Sequence, residues 1–297
     1  MIIATGSIAL DTTRTPFQTI ENALGGNGAF FAYCSTYFTA TRLVGVVGED
    51  FPAEHWKLLS DKGIDMAGVK KQGKTFFCDW NYHHDLHTRE YNKLELNALA
   101  DFQPVVPMNW QKTPYVFLSA VPAYQQLSVL KQVKSPAFTL MDTLEYYIEN
   151  DRKNLDEVIA RVDAVLLNDV EARKYANSAN LIKAAKFILS KGPKMVLIKK
   201  GENGCMLFPP NAILPSPAFP LETVIDPTGA GDSFAGGFLG HIAKSGKRDL
   251  QTLKEAMAYG HVMGSFAVED FGLRRLQSVT PGQLQSRYNL YKQIVCF

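Results

Sequence analysis

The sequence predicts an α/β protein with a mostly parallel sheet and helices on both of its faces. Three observations favour this class: short apolar segments alternate with segments of helical periodicity, the apolar segments lack polar alternation, and the end of the chain is mainly helical. A strand without polar alternation is buried on both faces, as strands of parallel sheets are. Since parallel strands need crossover connections, usually helices, the alternation itself indicates the fold class.

The predicted elements follow in chain order. Buried strands are predicted at residues 2–10, 42–48, 114–120, 137–142, 163–169 and 194–201. Helices are predicted at residues 26–39, 52–62, 123–133, 152–161, 169–176 and 180–190, and after residue 225 at 230–244, 250–267 and 281–291. No repeat, low-complexity tract or clear linker interrupts this order, so we expect a single domain over residues 1–297.

One segment breaks the alternation. Residues 73–96, GKTFFCDWNYHHDLHTREYNKLEL, are rich in aromatic and β-favouring residues and lack helical periodicity, which predicts antiparallel strands. Residues 12–24 are interpreted as a further strand of the same small sheet. Insertions of this kind often cover a site, so we expect a β lid formed by about 12–24 and 73–97.

The lid segment contains three histidines, His83, His84 and His87. Adjacent residues of a strand point to opposite faces, so these side chains cannot all converge on one ion. We interpret them as lid surface or substrate rim and not as a zinc site. Arg89 and Asn97 in the same segment are candidates for contacts with a substrate hydroxyl or phosphate.

Composition and charge argue against several classes of function. The formal net charge is +2, which gives no electrostatic reason for a nucleic-acid partner. No apolar run approaches the ~18 residues that span a bilayer, and the N-terminal MIIATGSIALD is typical of a buried strand, not of a signal peptide. Cys34, Cys78, Cys205 and Cys296 are far apart, so neither a disulfide framework nor a zinc site is expected. We expect a cytoplasmic protein.

A glycine-rich turn precedes the first C-terminal helix, in the sequence IDPTGAGDSFAGGFLGHIA, residues 225–243. Gly229, Ala230 and Gly231 have little or no side chain, so an anion can approach their N–H groups at the helix N-terminus. Asp232 would lie in the first helical turn, beside that anion. A carboxylate there repels phosphate unless it serves the chemistry, and its natural role is that of a general base for an attacking hydroxyl.

The same segment also has a purely structural explanation. Ala235, Gly236, Gly237 and Gly240 are small residues that would allow close packing of this helix onto the sheet. A glycine-rich capped helix with an acidic first turn needs no ligand, and short motifs often occur by chance.

The segment DPTGAGDSFAGGF, residues 226–238, resembles the C-terminal signature of the PfkB, or ribokinase-like, family of carbohydrate kinases. Other segments resemble the family in the right order, over nearly the whole chain. They are GSIALD (6–11), GGNGAFFA (25–32), LVGVVGEDFP (43–52), LNDVEARKY (167–175), IKKGENGCMLF (198–208) and FAVEDFG (266–272). Ordered agreement of several motifs is far more specific than any one of them. The resemblance implies a three-layer α/β/α sandwich with a mostly parallel sheet and a small β-sheet lid.

The resemblance assigns catalytic roles to the glycine-rich turn. Asp232 matches the family's catalytic base. The backbone of Gly229, Ala230 and Gly231 matches the anion hole for charge that develops on the transferred phosphoryl group.

Two further motifs concern cations. Asp226 and Thr228 resemble positions that help bind a monovalent cation such as K⁺ in many members, although Asp226 is alternatively a turn residue at a strand end. Asn168 and Glu171 match the family's N-x-x-E motif, in which Asn168 would contact phosphate and Glu171 would hold Mg²⁺ through water. The alternative is a helix N-cap with an acidic first turn, Asn168 or Asp169 being the cap.

No Walker A sequence occurs, so ATP must be held differently from the way a P-loop enzyme holds it. The resemblance implies nucleotide binding near residues 199–204, 223–231 and 262–271. The nucleotide-binding candidates are Asn168, Lys199, Gly201, Gly204, Thr228, Gly229 and Gly231. Lys199 and its neighbour Lys200 either neutralise nucleotide phosphate or merely end a strand.

The acceptor would bind near the end of the first predicted strand. Asp11 could accept two hydrogen bonds from neighbouring hydroxyls, and Gly25 and Gly26 would let the substrate approach the backbone. Many sugar kinases of the family carry an asparagine where this chain has Phe30, and Asn27 is a candidate replacement. Phe30 either stacks on the acceptor or belongs to the core.

Together these features imply an ATP- and Mg²⁺-dependent kinase that phosphorylates a hydroxyl of a small sugar or sugar-like substrate. A nucleoside or inositol kinase on the same fold is the nearer alternative, favoured by Phe30 and the aromatic lid. A non-catalytic sugar sensor is the farther one, and it would have lost the base or the anion turn, both of which are present. The aromatic lid also makes a homodimer plausible.

Overall fold

Residues 1–295 are described by the structure, a computed structural model, and they form two sheets with helices around them. The strands are β1 (Ile2–Thr5), β2 (Ala9–Arg14), β3 (Thr19–Gly25), β4 (Thr41–Val47), β5 (Ile64–Lys71), β6 (Phe76–Tyr82), β7 (Arg89–Glu95), β8 (Tyr115–Leu118), β9 (Phe138–Asp142), β10 (Ala164–Asn168), β11 (Met195–Lys199), β12 (Cys205–Phe208) and β13 (Leu214–Ser216). The helices are α1 (Asn27–Ser35), α2 (Ala53–Asp61), α3 (Ala123–Gln132), α4 (Glu145–Asn150), α5 (Arg152–Ile159), α6 (Asp169–Ala176), α7 (Leu181–Leu189), α8 (Ala230–Ser245), α9 (Leu250–Ala267), α10 (Arg274–Ser278) and α11 (Pro281–Val295). Cys296 lies outside the described residues.

The larger sheet has nine strands in the order β13-β12-β11-β10-β9-β8-β1-β4-β5. Its strands pair in parallel except at one edge, where β12 runs antiparallel to both β11 and β13. The mostly parallel sheet predicted from the apolar segments is therefore confirmed. Among the described helices, none combines the length and apolarity that a membrane crossing requires.

The helices cover both faces of this sheet. Successive strand residues alternate between two apolar clusters: Ile2 belongs to one and Ile3 to the other. The first cluster contains residues of α1, α2, α8, α9, α10 and α11, and the second contains residues of α3, α4, α5, α6 and α7. Because side chains of a strand point alternately to opposite faces, the two clusters are the two sides of a three-layer sandwich.

The smaller sheet has four strands in the order β3-β2-β6-β7, and it corrects two predictions. Residues 2–10 are not one strand, since β1 lies in the larger sheet and β2 in the smaller. Residues 12–24 are not one strand either: they contain the end of β2, a turn closed by the Thr15 N–H and the Gln18 carbonyl (2.9 Å), and most of β3. β2 pairs antiparallel with β3 but parallel with β6, while β6 and β7 are antiparallel as predicted.

Close packing of α8 involves its neighbouring helices and not the sheet itself. A Cβ at Gly236 would meet Cys34 Cβ of α1 at 2.7 Å, and a Cβ at Gly237 would meet the Tyr259 carbonyl oxygen of α9 at 2.6 Å. The small residues predicted for this helix are thus needed, but for contacts between helices in one layer.

The start of α1 is fixed to the carboxyl ends of two strands. Asn27 Oδ1 accepts hydrogen bonds from the Ser7 N–H (2.8 Å), the Ser7 hydroxyl (3.0 Å) and the Ser119 hydroxyl (2.8 Å). Asn27 Nδ2 donates to the Ala120 carbonyl oxygen at 2.7 Å. One amide side chain therefore satisfies groups that follow β1 and β8, where the chain leaves the larger sheet.

Replacement of this amide tests its structural role. We expect Asn27→Ala to lower the free energy of unfolding by about 3 kcal/mol, because several buried polar groups lose their partner. Urea unfolding monitored by circular dichroism measures the change. Asn150→Ala is the control, since the Asn150 side chain donates only one bond, to the Tyr146 carbonyl of its own helix. An equal effect of the two variants would contradict the assignment.

Candidate active site

Polar side chains collect at the carboxyl edge of the larger sheet. Asp142 ends β9, Asn168 ends β10 and Lys199 ends β11, three adjacent parallel strands. Lys199 Nζ donates to Asp142 Oδ2 at 2.8 Å, although 57 residues separate the two in sequence. Parallel α/β sheets place their ligands at this edge, so it is the candidate site.

The glycine-rich turn is held against the end of α9. The Ile225 N–H donates to the Val268 carbonyl oxygen at 2.8 Å, and buried Asp226 accepts from the Thr228 N–H at 2.8 Å. Burial raises the pKa of Asp226 to about 6, while hydrogen bonds from Thr228 and Gly272 oppose the rise. The bond from the Thr228 N–H supports the interpretation of Asp226 as a turn residue, and this role is compatible with the binding of a cation.

Gly229 is the N-cap of α8 and has a φ of 77°. A Cβ at this position would lie 2.5 Å from the ring of Phe30, which is 1% exposed and belongs to the core. The structure therefore favours the core interpretation of Phe30 over a surface that stacks on a substrate. The Ala230 N–H donates to the Pro227 carbonyl oxygen at 3.3 Å, whereas the N–H groups of Gly231 and Asp232 have no acceptor among the described residues and are available to an anion.

Asp232 lies in the first turn of α8, beside these N–H groups. Burial raises its pKa to about 6; the positive charges of Lys199 and Arg89 oppose the rise, and the negative charge of Asp142 adds to it. A Cβ at Gly231 would approach Lys199 Nζ to 3.0 Å, so the lysine lies against the turn. A carboxylate with such a pKa is ionised near neutral pH and can still accept a proton.

Lys199 is the cation at the centre of this cluster. Burial alone would lower its pKa, yet the carboxylates of Asp142, Glu171 and Asp232 hold it above the ordinary value. The residue is therefore more than the end of a strand, because three acidic groups act on it.

Asn168 and Glu171 form a capping box at the start of α6. Asn168 Oδ1 accepts from the Glu171 N–H at 2.8 Å, and the Asn168 N–H donates to Glu171 Oε2 at 2.7 Å. Asn168, and not Asp169, is the cap. Burial and the nearby Asp142 raise the pKa of Glu171, and Lys199 opposes them. The structural alternative for the N-x-x-E motif is present, and it places the Glu171 carboxyl inside the acidic cluster.

Asp11 faces the same space from β2. Its side chain is 6% exposed and its Oδ1 has no hydrogen-bond partner among the described residues. Burial and the negative charges of Asp226 and Asp232 raise its pKa to about 8, against a hydrogen bond from the Gly26 N–H. A Cβ at Gly25 would lie 1.8 Å from Asp11 Oδ2, so only glycine fits beside this carboxyl. A buried carboxyl oxygen without a partner makes Asp11 a candidate ligand-binding residue.

The donor set fits a cation that is held through water. Five acidic residues act on one another here, with Lys199 and Arg89 as their positive neighbours; they are Asp11, Asp142, Glu171, Asp226 and Asp232. Within residues 1–295, however, no three metal-ligating side chains converge as a direct cage. Mg²⁺ keeps much of its water and uses few carboxylates, so the arrangement suits it.

Other predicted residues are placed less centrally. Asn27 uses its amide on the strand ends, as described above. Gly201 (φ 55°) begins the turn between β11 and β12, and Gly204 (φ 78°) ends it, packed against Ser216. Asn97 donates to the Thr75 carbonyl oxygen at 2.8 Å and thus has a structural role. The three histidines lie at the surface of the β6–β7 hairpin: His83 Nε2 is 3.2 Å from Glu90, while His87 lies beside Gly201, with its Nε2 3.8 Å from Glu202 of the 201–204 turn.

Two residues of the site escaped the sequence analysis as site residues. Asp142 was visible only as the last residue of a predicted buried strand, a position that does carry a signal in parallel sheets. Tyr82 lies in the predicted lid, and its hydroxyl is 3.0 Å from Thr228 Oγ1 of the turn. Nothing local distinguishes Tyr82 from the other aromatic residues of the segment.

An open parallel sheet with a helix N-terminus and a buried carboxylate at its carboxyl edge is an arrangement that suits phosphoryl transfer. The model of the pfkB family of carbohydrate kinases matches residues 2–279. The chain therefore belongs to this family, and it is a kinase with an alcohol group as phosphoryl acceptor.

Known proteins extend this comparison. A cytidine kinase of Thermococcus kodakarensis is 30% identical over 246 residues, which cover 80% of this chain and 87% of the relative. The Burkholderia thailandensis nucleoside kinase in complex with inosine has a TM-score of 0.80 at 18% identity, covering 98% of each chain. An E. coli protein of ribokinase II type in complex with ATP and Mg²⁺ has a TM-score of 0.81 at 18% identity, covering 97% of this chain and 99% of that one. The two structures share the fold, which confirms the predicted ribokinase-like sandwich, and ATP with Mg²⁺ is the phosphoryl donor of this family of kinases.

The contact between Gly229 and Phe30 can be tested with two glycines of one helix. Gly229 and Gly246 flank α8, and both have left-handed φ values, but a Cβ at Gly246 would meet nothing within 4 Å. We expect Gly246→Ala to cost about 1 kcal/mol of unfolding free energy for backbone strain alone. Gly229→Ala should cost about 3 kcal/mol, since strain and overpacking add.

The same pair also separates stability from activity. Gly229→Ala should lower kcat by at least about tenfold at a temperature where the variant is folded, because the anion site moves. Gly246→Ala should retain kcat. Urea unfolding and ADP release measure the two quantities, and equal stabilities of the two variants would refute the close contact.

Proposed function

We propose that Asp232 deprotonates the acceptor hydroxyl while the N–H groups of Gly229, Ala230 and Gly231 bind the transferred phosphoryl group. The observation that carries the proposal is the position of Asp232: a carboxylate with a raised pKa, in the first turn of α8, within electrostatic range of Lys199 and Arg89. The turn provides fixed donors where negative charge develops, so little reorganisation is needed during transfer.

The acceptor would lie between Asp11, the backbone at Gly25 and Gly26, and Asp232. The Asp11 carboxyl supports this placement because its Oδ1 has no partner and can form a hydrogen bond with an acceptor hydroxyl. A small sugar or sugar-like molecule has such hydroxyls. The four-stranded sheet would act as a lid that excludes water, which competes as phosphoryl acceptor.

ATP would lie along the ends of β10 and β11 and the turn before α8. Asn168 would contact a phosphate oxygen, Lys199 would neutralise phosphate charge, and the 201–204 turn with Thr228 would line the nucleotide side of the cleft. Glu171 would hold the waters of Mg²⁺, since its carboxyl is buried in an acidic cluster that a cation would neutralise. The metal would supply charge neutralisation for the phosphates.

A nucleoside is the second candidate acceptor, favoured by one observation. In the smaller sheet Cys78 is the register partner of Asp11, and Trp80, two residues further, lies on the same face. The Trp80 ring packs against that of Tyr91 with centroids 4.1 Å apart, which gives an aromatic surface beside the sugar position. The similarity to cytidine kinase agrees with this candidate, and inositol remains a further one.

Three finer properties belong to the same proposal. Asp226, with its raised pKa, is a candidate ligand of a monovalent cation such as K⁺. Two copies would associate through the smaller sheet, because its edge strand β7 is exposed along its whole length and carries Tyr91 and Leu94. The buried free thiols among the described residues suit the cytoplasm. Activity with and without K⁺ and light scattering of the purified protein test the first two.

The acceptor class is tested with a panel. ADP release with Mg-ATP is measured for hexoses, pentoses, inositols and nucleosides at equal concentrations. We expect turnover with one class only. Preference for free sugars supports the first candidate, and preference for nucleosides supports the second; no ADP release above background with any acceptor would contradict the proposal.

The base is tested by Asp232→Asn. We expect kcat to fall by about 10²–10⁴, the usual contribution of a general base. In the unmodified enzyme kcat/KM should fall as the pH drops below about 6, because the Asp232 carboxylate, whose pKa is about 6, becomes protonated and cannot accept a proton. Asp249→Asn, at the N-cap of α9, should leave both quantities unchanged. Unaltered turnover in Asp232→Asn would rule the residue out.

A further inference from the structure

One side chain connects the smaller sheet with the glycine-rich turn. Tyr82, at the end of β6, is 5% exposed, and its hydroxyl lies 3.0 Å from Thr228 Oγ1. The Thr228 N–H in turn donates to Asp226. A buried tyrosine hydroxyl normally has a partner, and here the partner belongs to the segment that leads directly into the anion site.

The opposite strand supplies a second partner to this hydroxyl. Arg89 is the register partner of Tyr82, and its Nη1 donates to the Tyr82 oxygen at 3.5 Å, the long limit of a hydrogen bond. The guanidinium is also 4.5 Å from the Trp80 ring centroid. Because arginine only donates, the Tyr82 oxygen accepts from Arg89, and its own proton can be donated to Thr228 Oγ1.

The positive charge of Arg89 acts on two carboxyl groups of the site. It lowers the pKa of both Asp232 and Glu171, so its guanidinium lies near the acidic cluster from the side of the smaller sheet. Among the described residues Arg89 forms no ion pair, unlike Arg14 of the same sheet, which pairs with Asp79 at 3.0 Å. Donors of Arg89 thus remain available for an anionic ligand at the cleft.

We propose that Tyr82 is a positioning residue that couples the closed position of the four-stranded sheet to the conformation of the 226–229 turn. The proposal rests on the assignment of that turn as the phosphoryl site. When the sheet covers the acceptor, the hydroxyl of Tyr82 fixes Thr228 and, through it, the entry into α8. When the sheet moves away, Thr228 loses this hydrogen-bond partner. The turn and the N–H groups at the start of α8 are then held less rigidly.

The benefit of such coupling is selectivity against water. Water reaches the phosphoryl group when the acceptor is uncovered, and an anion site that is fully formed in this state would promote hydrolysis of ATP. A site that is completed by closure favours transfer to the acceptor. Since coupling is reciprocal, the turn must stabilise the closed sheet as much as the sheet stabilises the turn.

Four variants test the coupling through the ratio of acceptor-independent ATP hydrolysis to phosphoryl transfer. Tyr82→Phe and Thr228→Val each remove one hydroxyl at nearly constant volume, and each should raise the ratio roughly fivefold, the factor that corresponds to one net hydrogen bond. The double variant should be no worse than the worse single one, because the two residues share one bond. Thr228→Ser keeps the hydroxyl and should restore the ratio.

Hydrogen exchange of the ligand-free enzyme supplies a readout that does not depend on activity. Tyr82→Phe should speed amide exchange in residues 226–232, and Thr228→Val should speed amide exchange in β6 and β7. In each case the affected segment is distant in sequence from the substituted residue. Tyr37→Phe is the matched control: it removes a tyrosine hydroxyl that donates to the Leu276 carbonyl at 2.6 Å and forms no hydrogen bond with residues 226–232 or with β6 and β7. It should alter neither the ratio nor these segments.

The outcomes separate this proposal from the function itself. If Asp232→Asn abolishes transfer but Tyr82→Phe leaves the ratio and the remote exchange unchanged, the kinase assignment stands and the coupling is wrong. Additive effects in the double variant would also overturn it. If the unmodified enzyme phosphorylates no acceptor, the proposed function fails, while the exchange experiment still decides whether sheet and turn are coupled.

Discussion

The whole site depends on how closely the start of α8 can approach the core. Gly229 meets the ring of Phe30 with no room for a Cβ, and further along the helix Gly236 and Gly237 allow similar contacts with α1 and α9. This packing brings the N–H groups of Gly231 and Asp232 to the carboxyl edge of the sheet, where Asp142 and Lys199 end their strands. A bulkier residue at the cap would move the anion site as a unit, since the turn is also fixed to Val268.

The second organising feature is an excess of negative charge in a place with little water. The carboxylates there raise one another's pKa values, and Lys199 is the only one of their two positive neighbours that forms an ion pair among the described residues, with Asp142. Burial of so many acidic groups is costly unless positive charge arrives with the substrates. We expect the ionised carboxylates to disfavour phosphates that arrive without a cation, in agreement with a nucleotide donor that carries Mg²⁺.

The sequence was informative where one continuous segment carries the whole signal. The glycine-rich turn contains the cap, the amides and Asp232 within a few residues, so the chemistry proposed for it could be formulated before any fold was known. Asp142 and Tyr82 act through partners more than fifty residues away, and no local pattern reveals such pairs. The apolar run 2–10 concealed a change of sheet because both of its halves are buried, and edge strand β5 was missed because its alternating burial does not resemble a central strand.

Glu171 has a structural role in addition to its proposed role in metal binding. The Glu171 carboxyl accepts a hydrogen bond from the Asn168 N–H and so completes the capping box of α6. The side chain that is proposed to hold the waters of a metal therefore also stabilises the start of a helix. A descendant that had lost catalysis would still need an acidic or amide side chain there to keep the helix in place. Asp232 makes no comparable bond to another side chain, and drift at that position would cost the fold little. If Asp232 is the base, we expect homologous sequences that have lost activity to differ at Asp232 first, while the more conspicuous N-x-x-E motif persists.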